Sequence, residues 1–528
     1  MSKSKVLITC DLGAAALARF NEVEGIEVLV ENIKDVETLA AHAKDVNGII
    51  VRSNVKVTAD VINAAKGLKV IGRAGIGVDN IDVNAATKAG VAVVNAPSGN
   101  TVTTAEHAVS MMLSMARRIP QASASMKEDK WEKKRFMGTE VRSKVLGVIG
   151  AGRIGSTVAG IVKGLRMRVL CYDPFLTAER ARDIGVESVD LDTLLANADF
   201  ITLHTPLTPD TKDLIGGDNL KKVKEGVFIV NCARGPIVNL DDLDEAMETG
   251  RVAGAALDVF EVEPPPHHKL FEREKVILTP HLGASTVEAQ ESVALEIADN
   301  VISYLTTGVS PNTLNLPSLP AEVFSALEKQ MFLAKGLGLL GAQLAEGPIS
   351  SASIQLKGDR VEEGKDILTA AFLAGLLTPA VGEVNIVNAR SIAEERGICV
   401  STATSTELGD FTDIVAVEIS GAWGKSSLEG ALFNKRDPRL VSLDGFRIDA
   451  VPRGEMLLLY NRDVPGVIGA IGKTLGENGT NISGLYNGRE SIGGRALTLV
   501  NIDAPATDKA KEALSKLDNV ISVKCLKL

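Results

Sequence analysis

Three polar side chains, Arg234, Glu263 and His281, each come a few residues after an apolar run that predicts a buried parallel strand. A histidine titrates near neutral pH and can act as a general base. A carboxylate can orient such a base, and the planar fork of an arginine fits a carboxylate bidentately. Each residue alone has an ordinary alternative, a surface ion pair or a solvated loop. Because all three follow strand ends, we expect them to share a cleft that removes a proton beside a bound carboxylate.

A glycine-rich loop supplies a second chemical feature. The apolar strand Val145–Ile149 is followed by Gly150-Ala151-Gly152-Arg153-Ile154-Gly155 and then by a helical pattern over Ser156–Leu165. The first glycine permits a tight turn, the second lets a pyrophosphate approach the backbone, and the third lets the helix pack closely on the sheet. Free N–H groups at the helix start hold phosphate oxygens. Strand, loop and helix in this order predict a dinucleotide-binding domain.

The acidic residue after the next strand indicates which dinucleotide the domain binds. The strand Arg168–Tyr172 is followed by Asp173, which lies 18 residues beyond Gly155. A carboxylate at this place accepts hydrogen bonds from both ribose hydroxyls and repels a 2′-phosphate. The sequence therefore predicts NAD as the cofactor. The three post-strand side chains become candidates for hydride exchange between an alcohol and the nicotinamide ring.

Apolar runs that alternate with helical patterns predict two α/β lobes. The predicted strands of the first lobe are Val6–Cys10, Ile26–Val30, Gly48–Val51, Leu68–Arg73 and Val91–Val94. Those of the nucleotide lobe after Asp173 are Phe200–His204, Val227–Asn231, Ala255–Val259 and Val276–Thr279. Helical patterns over Thr104–Arg118 and Ser285–Tyr304 cross between the lobes. The first lobe is therefore predicted to comprise residues 1–100 and 285–315, around a nucleotide domain at 101–284.

The rest of the chain predicts two smaller domains after a linker with three prolines between Ser310 and Pro320. Residues 321–452 mix helix and strand patterns and carry no catalytic constellation; the predicted elements are Ser353–Lys357, Asp366–Leu377, Asn388–Glu395, Ile414–Ile419 and Leu440–Leu443. Residues 453–528 follow the β-α-β-β-α-β order of a ferredoxin-like unit. Its predicted elements are Met456–Asn461, Val467–Glu477, Ile482–Asn487, Arg495–Ile502, Asp508–Leu517 and Val520–Leu526.

Composition argues against several classes of function. The chain is 45% hydrophobic and 23% charged, with a formal net charge of -10. Nucleic acids and anionic membranes need a basic face, which this acidity does not favour. The five cysteines are scattered without metal-ligand spacing, no signal sequence precedes the first strand, and the apolar segment Ile367–Leu377 is too short to span a bilayer. We expect a cytoplasmic protein with no metal site.

The basic run Lys133-Lys134-Arg135 has two interpretations. It lies beside Trp131 and Phe136, between the crossing helix and the glycine loop. It is either a solvated loop face or a cation cluster for a substrate phosphate. The residues alone favour neither.

Together these motifs resemble the D-2-hydroxyacid dehydrogenase family in its long form. The similarity covers nearly the whole chain, and its signatures besides the glycine loop are Gly72–Asp82, Phe136–Glu140, Asn231–Gly235, Leu257–Pro264 and Pro280–Thr286. The family usually has another glycine after Arg-Gly and an acid three residues further on, where this chain has Pro236 and Asn239. This departure bears on the geometry of that loop more than on the chemistry.

The resemblance implies a flavodoxin-like substrate domain, a Rossmann domain, an α+β intervening domain and a C-terminal ACT domain. It also implies NAD-dependent oxidation of 3-phospho-D-glycerate to 3-phosphohydroxypyruvate, the first step of L-serine biosynthesis, in a homo-oligomer that we expect to be a tetramer. The implied catalytic residues are Arg234, Glu263 and His281. The implied cofactor contacts are Gly150, Gly152, Arg153, Ile154, Gly155, Asp173, Thr205, Cys232, Asp258 and Gly283. The implied substrate contacts are Arg52, Gly75, Lys134, Arg135 and Arg234.

An L-serine site is implied at Asp463 and Asn481, where ACT domains hold an amino acid. From the residues alone, Asp463 would instead cap the following helix and Asn481 would lie in a turn. Two other functions remain open. One is a dehydrogenase of another small D-2-hydroxy acid such as glycerate, and the other is a nucleotide-sensing binding protein similar to some transcriptional corepressors.

Overall fold

Short runs of valine and isoleucine form the first parallel sheet. In the computed structural model its strands are β1 (Ser4–Ile8), β2 (Ile26–Val30), β3 (Gly48–Val51), β4 (Val70–Arg73) and β5 (Ala92–Asn95). Their order is β2-β1-β3-β4-β5, and every pair is parallel. This is the flavodoxin-like order, which confirms the predicted architecture of the first lobe.

The structure describes residues 3–317, 319–358, 360–405, 413–434 and 437–528. By their contacts, the residues of the chain form two units. The first contains Met1–Asp11, Phe20–Asn95 and Ile297–Leu528, and the second contains Leu12–Arg19 and Ala96–Glu296. The first unit is therefore discontinuous in sequence.

A seven-stranded parallel sheet forms the core of the second unit. Its strands are β6 (Val145–Ile149), β7 (Arg168–Tyr172), β8 (Glu187–Ser188), β9 (Phe200–Leu203), β10 (Val227–Asn231), β11 (Val252–Leu257) and β12 (Val276–Leu278). Their order is β12-β11-β10-β9-β6-β7-β8. The direction of winding reverses between β6 and β9, which is the point where doubly wound sheets bind nucleotides at their carboxyl edge.

Helices connect the strands of these two sheets, and several begin at an Asp, Asn or Thr whose side chain accepts a backbone N–H three residues on. They are α1 (Gly13–Asn21), α2 (Val36–His42), α3 (Ala59–Ala64), α4 (Val83–Lys88), α5 (Thr101–Arg117), α6 (Ile119–Lys127), α7 (Arg153–Gly164), α8 (Ala178–Ile184), α9 (Leu191–Asn197), α10 (Gly217–Lys222), α11 (Leu240–Glu248) and α12 (Val287–Thr307). The sequence did not predict α6, which Arg118 separates from α5 in a left-handed conformation.

A mixed six-stranded sheet follows in the first unit. Its strands are β13 (Ser351–Lys357), β14 (Cys399–Ser405), β15 (Ile414–Gly421), β16 (Gly424–Phe433), β17 (Asp437–Leu443) and β18 (Phe446–Ala450), in the order β14-β13-β15-β16-β17-β18. Its helices are α13 (Ala321–Leu344), α14 (Val361–Val381) and α15 (Ala389–Glu395).

The length argument against a membrane span in this region was wrong. Helix α14 has 21 residues and is long and apolar enough to cross a bilayer by composition. However, 67% of its most apolar 18-residue window is buried inside the fold. Phe372 and its apolar neighbours belong to the hydrophobic core that also contains α13 and the six-stranded sheet. Its burial is typical of the core helix of a soluble protein.

The last sheet has the predicted ferredoxin-like topology. Its elements are β19 (Glu455–Arg462), α16 (Val467–Glu477), β20 (Ile482–Arg489), β21 (Arg495–Ile502), α17 (Asp508–Ser515) and β22 (Val520–Lys527). The strands are antiparallel in the order β20-β21-β19-β22. Leu457 and Leu459 of the central strand pack with Ile471 and Leu514 of the two helices.

Candidate active site

The three candidate catalytic residues leave one edge of the seven-stranded sheet. The parallel register places the last residues of β10, β11 and β12 side by side. Arg234, Glu263 and His281 lie in the loops that follow these three strand ends. This is the carboxyl edge of the sheet, where open α/β sheets bind their ligands.

A direct contact joins two of these residues. Nδ1 of His281 lies 2.7 Å from Oε2 of Glu263, and the other carboxylate oxygen accepts the backbone N–H of Phe260 at 3.1 Å. A carboxylate can only accept, so Nδ1 carries the proton in this contact. The side chains of His281 and Glu263 are 48% and 38% exposed, so a substrate can reach them. The arrangement leaves Nε2 of His281 to exchange a proton with a bound hydroxyl.

Asp258 anchors the loop that carries His281. Its Oδ1 accepts the backbone N–H of Leu282 at 2.7 Å, and its Oδ2 accepts that of Gly283 at 2.8 Å. The backbone N–H of His281 donates to the carbonyl of Asp258 at 2.9 Å. Three contacts to consecutive residues hold His281 in its left-handed backbone conformation, with φ of 55°.

Behind this loop, His107, Cys232 and Asp258 place a nitrogen, a sulfur and a carboxylate oxygen within 4.8 Å of one another. Burial alone would raise the pKa of Asp258, but hydrogen bonds from His107 and Thr279 hold that pKa below its usual range. Burial and the charge of Asp258 raise the pKa of the Cys232 thiol well above its usual range. A protonated thiol and a carboxylate already occupied by three hydrogen bonds and by His107 at 3.2 Å fit the floor of a nucleotide cleft better than a metal site.

Arg234 belongs to a turn that its neighbours stabilise. Its carbonyl accepts a hydrogen bond from the Asn231 side chain at 2.9 Å. A 3-10 turn then spans Gly235–Ile237, with Pro236 in its first positions. Asn239 caps α11 by accepting a backbone N–H in its first turn. The two departures from the family pattern, Pro236 and Asn239, thus form an ordinary turn and an ordinary helix cap.

The glycine loop after β6 has the shape that a pyrophosphate needs. Gly150 has a φ of 99°, which a residue with a side chain rarely adopts. A Cβ at Gly155 would lie 1.9 Å from the carbonyl oxygen of Gly150, whereas a Cβ at Gly152 would meet nothing within 4 Å. Arg153 and Ile154 then open α7. The loop is therefore tight where the helix meets the strand and open where a phosphate would approach.

Asp173 and Thr205 flank this loop. Oδ2 of Asp173 accepts the N–H of Ala151 at 2.8 Å, and Oδ1 accepts the N–H of Phe175 at 2.8 Å. Each oxygen keeps a lone pair for a ribose hydroxyl. The Thr205 hydroxyl is buried and has no hydrogen-bond partner in the described part of the chain. A partnerless buried hydroxyl and an oriented carboxylate beside an open glycine loop fit NAD.

The basic run after α6 divides into two kinds of side chain. Arg135 donates to Glu132 and to Glu274, both at 3.0 Å. Lys134 is exposed and makes no ion pair within the described residues. Arg135 is thus an ion-pair residue in this structure, and Lys134 is the more available cation.

Arg52 and Gly75 lie in the first unit, after the carboxyl ends of the adjacent strands β3 and β4. Arg52 is half-buried, and its Nε is buried with no hydrogen-bond partner among the residues described. Gly75 has a φ of 145°.

The two residues of the predicted serine site have partners of their own. Oδ2 of Asp463 accepts a hydrogen bond from Arg489 at 3.0 Å, and the side chain of Asn481 donates to Asp503 at 2.6 Å. Gly466 is the N-cap of α16. The alternative that Asp463 caps this helix is therefore wrong.

Several site residues have partners that the sequence does not indicate. His107 and Thr279 contact Asp258, Glu274 pairs with Arg135, and Arg489 pairs with Asp463. Thr279 had a usable signal, since it ends a predicted strand two residues before His281. The other partners come from distant parts of the chain, so no local pattern points to them.

Two family models match this chain. The model described as "D-isomer specific 2-hydroxyacid dehydrogenase, NAD binding domain" matches residues 109–283. The model described as "D-3-phosphoglycerate dehydrogenase intervening domain" matches residues 326–444. The first contains the glycine loop and the three candidate catalytic residues.

Solved structures match 59–60% of this chain. The D-lactate dehydrogenase of Escherichia coli is 31% identical and covers 59% of this chain and 99% of its own, with a TM-score of 0.52. The D-lactate dehydrogenase of Aquifex aeolicus, complexed with NAD and lactic acid, is 26% identical and covers 60% and 100%, with a TM-score of 0.53.

Relatives named D-3-phosphoglycerate dehydrogenase match over the full length. The protein of Archaeoglobus fulgidus is 42% identical over 528 residues, covering 99% of this chain and 100% of its own. That of Bacillus subtilis is 40% identical over 525 residues, covering 99% of each. The chain belongs to the D-2-hydroxyacid dehydrogenase family and, within it, to the D-3-phosphoglycerate dehydrogenases.

Proposed function

We propose that this protein oxidises 3-phospho-D-glycerate to 3-phosphohydroxypyruvate with NAD, the first step of L-serine biosynthesis. The observation that carries the proposal is the 2.7 Å contact between His281 and Glu263. It lies at the carboxyl edge of a sheet whose glycine loop and Asp173 fit NAD. The full-length similarity to the named relatives supports the choice of substrate.

The residues divide the reaction between them. The hydride that leaves C2 of the substrate would be accepted by the nicotinamide ring that bound NAD would supply. Nε2 of His281 takes the proton of the 2-hydroxyl as the carbonyl forms, and Glu263 stabilises the resulting imidazolium. Arg234 holds the substrate carboxylate with its guanidinium fork. One hydride and one proton leave the alcohol, so the ketone forms with no further reactant.

The residues that would hold NAD surround the loop after β6 and the ends of the neighbouring strands. Backbone groups of the glycine loop with Arg153 and Ile154 would bind the pyrophosphate. Asp173 would accept the ribose hydroxyls. The remaining contacts would come from Thr205, Cys232, Asp258 and Gly283.

The substrate phosphate needs cations besides Arg234. We assign it to Arg52, Lys134 and Arg135, with Gly75 in the adjacent loop. The partnerless Nε of Arg52 supports its part in this assignment. The ion pairs of Arg135 support a smaller part for it than for Lys134.

Domain organisation and regulation complete the proposal. The substrate domain would comprise residues 1–100 and 285–315, the NAD domain 101–284, the intervening domain 321–452 and the ACT domain 453–528. L-serine would bind the last domain at Asp463 and Asn481 and slow the enzyme. The protein would act as a cytoplasmic homotetramer.

A substrate panel separates this function from its alternatives. The purified chain is assayed for NADH formation from 3-phospho-D-glycerate, D-glycerate and D-lactate, alongside fluorescence titration with NADH. The proposal predicts binding of NADH and a clear preference in kcat/KM for the phosphorylated acid. Preference for glycerate or lactate would assign another D-2-hydroxy acid. NADH binding without turnover on any substrate would favour a nucleotide-sensing protein.

A further inference from the structure

Asn80 joins two loops at the carboxyl edge of the first parallel sheet. Its side-chain amide donates to the carbonyl oxygen of Arg52 at 2.8 Å and to that of Val55 at 2.7 Å. A side-chain amide has two donors. Both N–H groups of the Asn80 side chain therefore donate to the loop that begins with Arg52.

The backbone beside Asn80 holds the same loop. The N–H of Val57 donates to the carbonyl of Asn80 at 2.8 Å, and the N–H of Asp82 donates to the carbonyl of Val57 at 2.9 Å. Val57 also pairs with Ile81 as an isolated parallel bridge. Val55, Val57 and Ile81 are buried. The loop after β3 is thus a packed and hydrogen-bonded segment whose first residue is Arg52.

The side chain of Arg52 lies near the buried thiol of Cys10. The positive charge of Arg52 opposes the rise in the thiol pKa that burial causes. Nε of Arg52 is buried and lacks a partner in the described chain. A cation with a fixed backbone and one unused buried donor is preorganised for an anion.

We propose that Asn80 is a positioning residue that sets the direction of Arg52 and thereby the preference for a phosphorylated over an unphosphorylated hydroxy acid. The proposal rests on the assignment of Arg52 to the substrate phosphate. Asn80 itself touches the backbone of Arg52 and acts on the substrate only through it. Small displacements of a positioned group weaken its interactions strongly. Loss of the hydrogen bond to the carbonyl of Arg52 should therefore weaken the binding of the substrate phosphate.

The test compares Asn80→Ala with Asn54→Ala in the full-length enzyme. Asn54 lies in the same loop and donates one hydrogen bond to the carbonyl of Ile33 at 3.2 Å, so its removal perturbs the loop without freeing the carbonyl of Arg52. We expect Asn80→Ala to raise KM for 3-phospho-D-glycerate roughly tenfold, as two lost hydrogen bonds would allow, while KM for D-glycerate stays unchanged. Asn54→Ala should change neither.

A double-mutant cycle with Arg52→Ala tests whether Asn80 affects KM through Arg52. If Asn80 acts through Arg52, adding Asn80→Ala to Arg52→Ala should not raise KM for the phosphorylated acid further. An additive rise, or an equal rise for both substrates, would overturn the proposal. If Arg52→Ala itself leaves the preference unchanged, the assignment of Arg52 to the phosphate fails instead.

A second variant keeps the test decisive if Asn80→Ala does not fold. Asn80→Asp preserves the size of the side chain and replaces both donors by an acceptor, so we expect at least the same rise in KM for the phosphorylated acid. Wild-type KM in a folded Asn80→Asp variant would contradict the proposal.

Discussion

Nδ1 of His281 lies 2.7 Å from Oε2 of Glu263, although 18 positions separate the two residues in the chain. The contact fixes the tautomer of the imidazole, because the carboxylate accepts the Nδ1 proton. Asp258 stabilises the loop of this pair, because its carboxylate accepts the backbone N–H groups of Leu282 and Gly283. A base, its orienting acid and a buried anchor for the loop are thus arranged at consecutive strand ends of one sheet.

The first prediction concerns Glu263→Gln. Glutamine keeps the size of the side chain but removes the charge that stabilises the imidazolium. The imidazolium that forms when His281 takes the proton should then be less stable, so kcat should fall by about tenfold while NADH affinity stays unchanged. Glu261→Gln, in the same loop, is the control and should leave kcat unchanged. Wild-type kcat in Glu263→Gln would show that the carboxylate does not support the base.

The second prediction concerns cofactor choice. Asp173 accepts two backbone N–H groups, so its charge is held at the place of the ribose hydroxyls. The wild-type enzyme should prefer NAD to its 2′-phosphorylated form, because the carboxylate repels the extra phosphate. Asp173→Ala should weaken NAD binding about tenfold. It should also reduce the preference for NAD over its 2′-phosphorylated form. Kinetics with both cofactors measure this, and equal wild-type turnover with the phosphorylated form would contradict it.

The first lobe, the nucleotide domain and the C-terminal unit could be predicted from the sequence because their patterns are strong. The runs Ile26–Val30, Gly48–Val51, Val227–Asn231 and Arg495–Ile502 were predicted with the bounds that the structure has. Gly48–Val51 and Val227–Asn231 lie almost wholly buried in parallel sheets, so they are continuous apolar runs with clear ends.

The intervening region was harder for physical reasons. Helix Ala321–Leu344 was not predicted, because its apolar residues lie around much of its circumference and leave weak periodicity. Strand Cys399–Ser405 consists mainly of small polar residues, and Gly424–Phe433 contains two glycines, so neither has a typical strand composition.

The candidate site residues could be predicted from the sequence, but most of the residues that contact them could not. His281 and Glu263 could be paired, because both follow ends of adjacent strands. The contacts of Asn80 with Arg52 and of Arg489 with Asp463 join segments whose closeness exists only in the folded chain. Arg135 was left open by the sequence, and only the structure shows its pairing with Glu274.

The third prediction concerns stability against acid. Asp244 in α11 is buried and pairs with Arg273 and, at 3.0 Å, with Lys269. The hydrogen bond from Arg273, followed by that from Lys269, lowers the pKa of Asp244 to about 2. A carboxyl with a lowered pKa stabilises the fold above its unfolded value near 4, and the contribution is lost as the pH falls through about 2.

Asp244→Asn should therefore lower the free energy of unfolding by about 2 kcal/mol at pH 7. The difference from wild type should shrink as the pH falls from about 4 towards 2. Urea unfolding at several pH values measures it. Asp241→Asn is the control, since the side chain of Asp241 is 84% exposed and pairs with His268. A pH-independent difference would mean that charge is not the cause.

The fourth prediction concerns L-serine. Asp463 can receive the amino group of an amino acid, although in this structure it pairs with Arg489. We expect calorimetry to detect L-serine binding to the intact protein and L-serine to inhibit turnover, with both effects weakened about tenfold or more in Asp463→Ala. D-serine is the matched control ligand. Absence of L-serine binding at millimolar concentration would leave the ferredoxin-like unit as an assembly element.

The variant His281→Ala decides whether His281 is the base of this NAD-dependent dehydrogenase. Removal of a general base costs about a hundredfold to ten-thousandfold in rate. The variant is measured for NADH formation from 3-phospho-D-glycerate and for NADH binding by fluorescence, next to wild type and a His267→Ala control. We expect turnover to fall by at least about a hundredfold while NADH affinity stays within about twofold. Near-normal turnover in His281→Ala would contradict it.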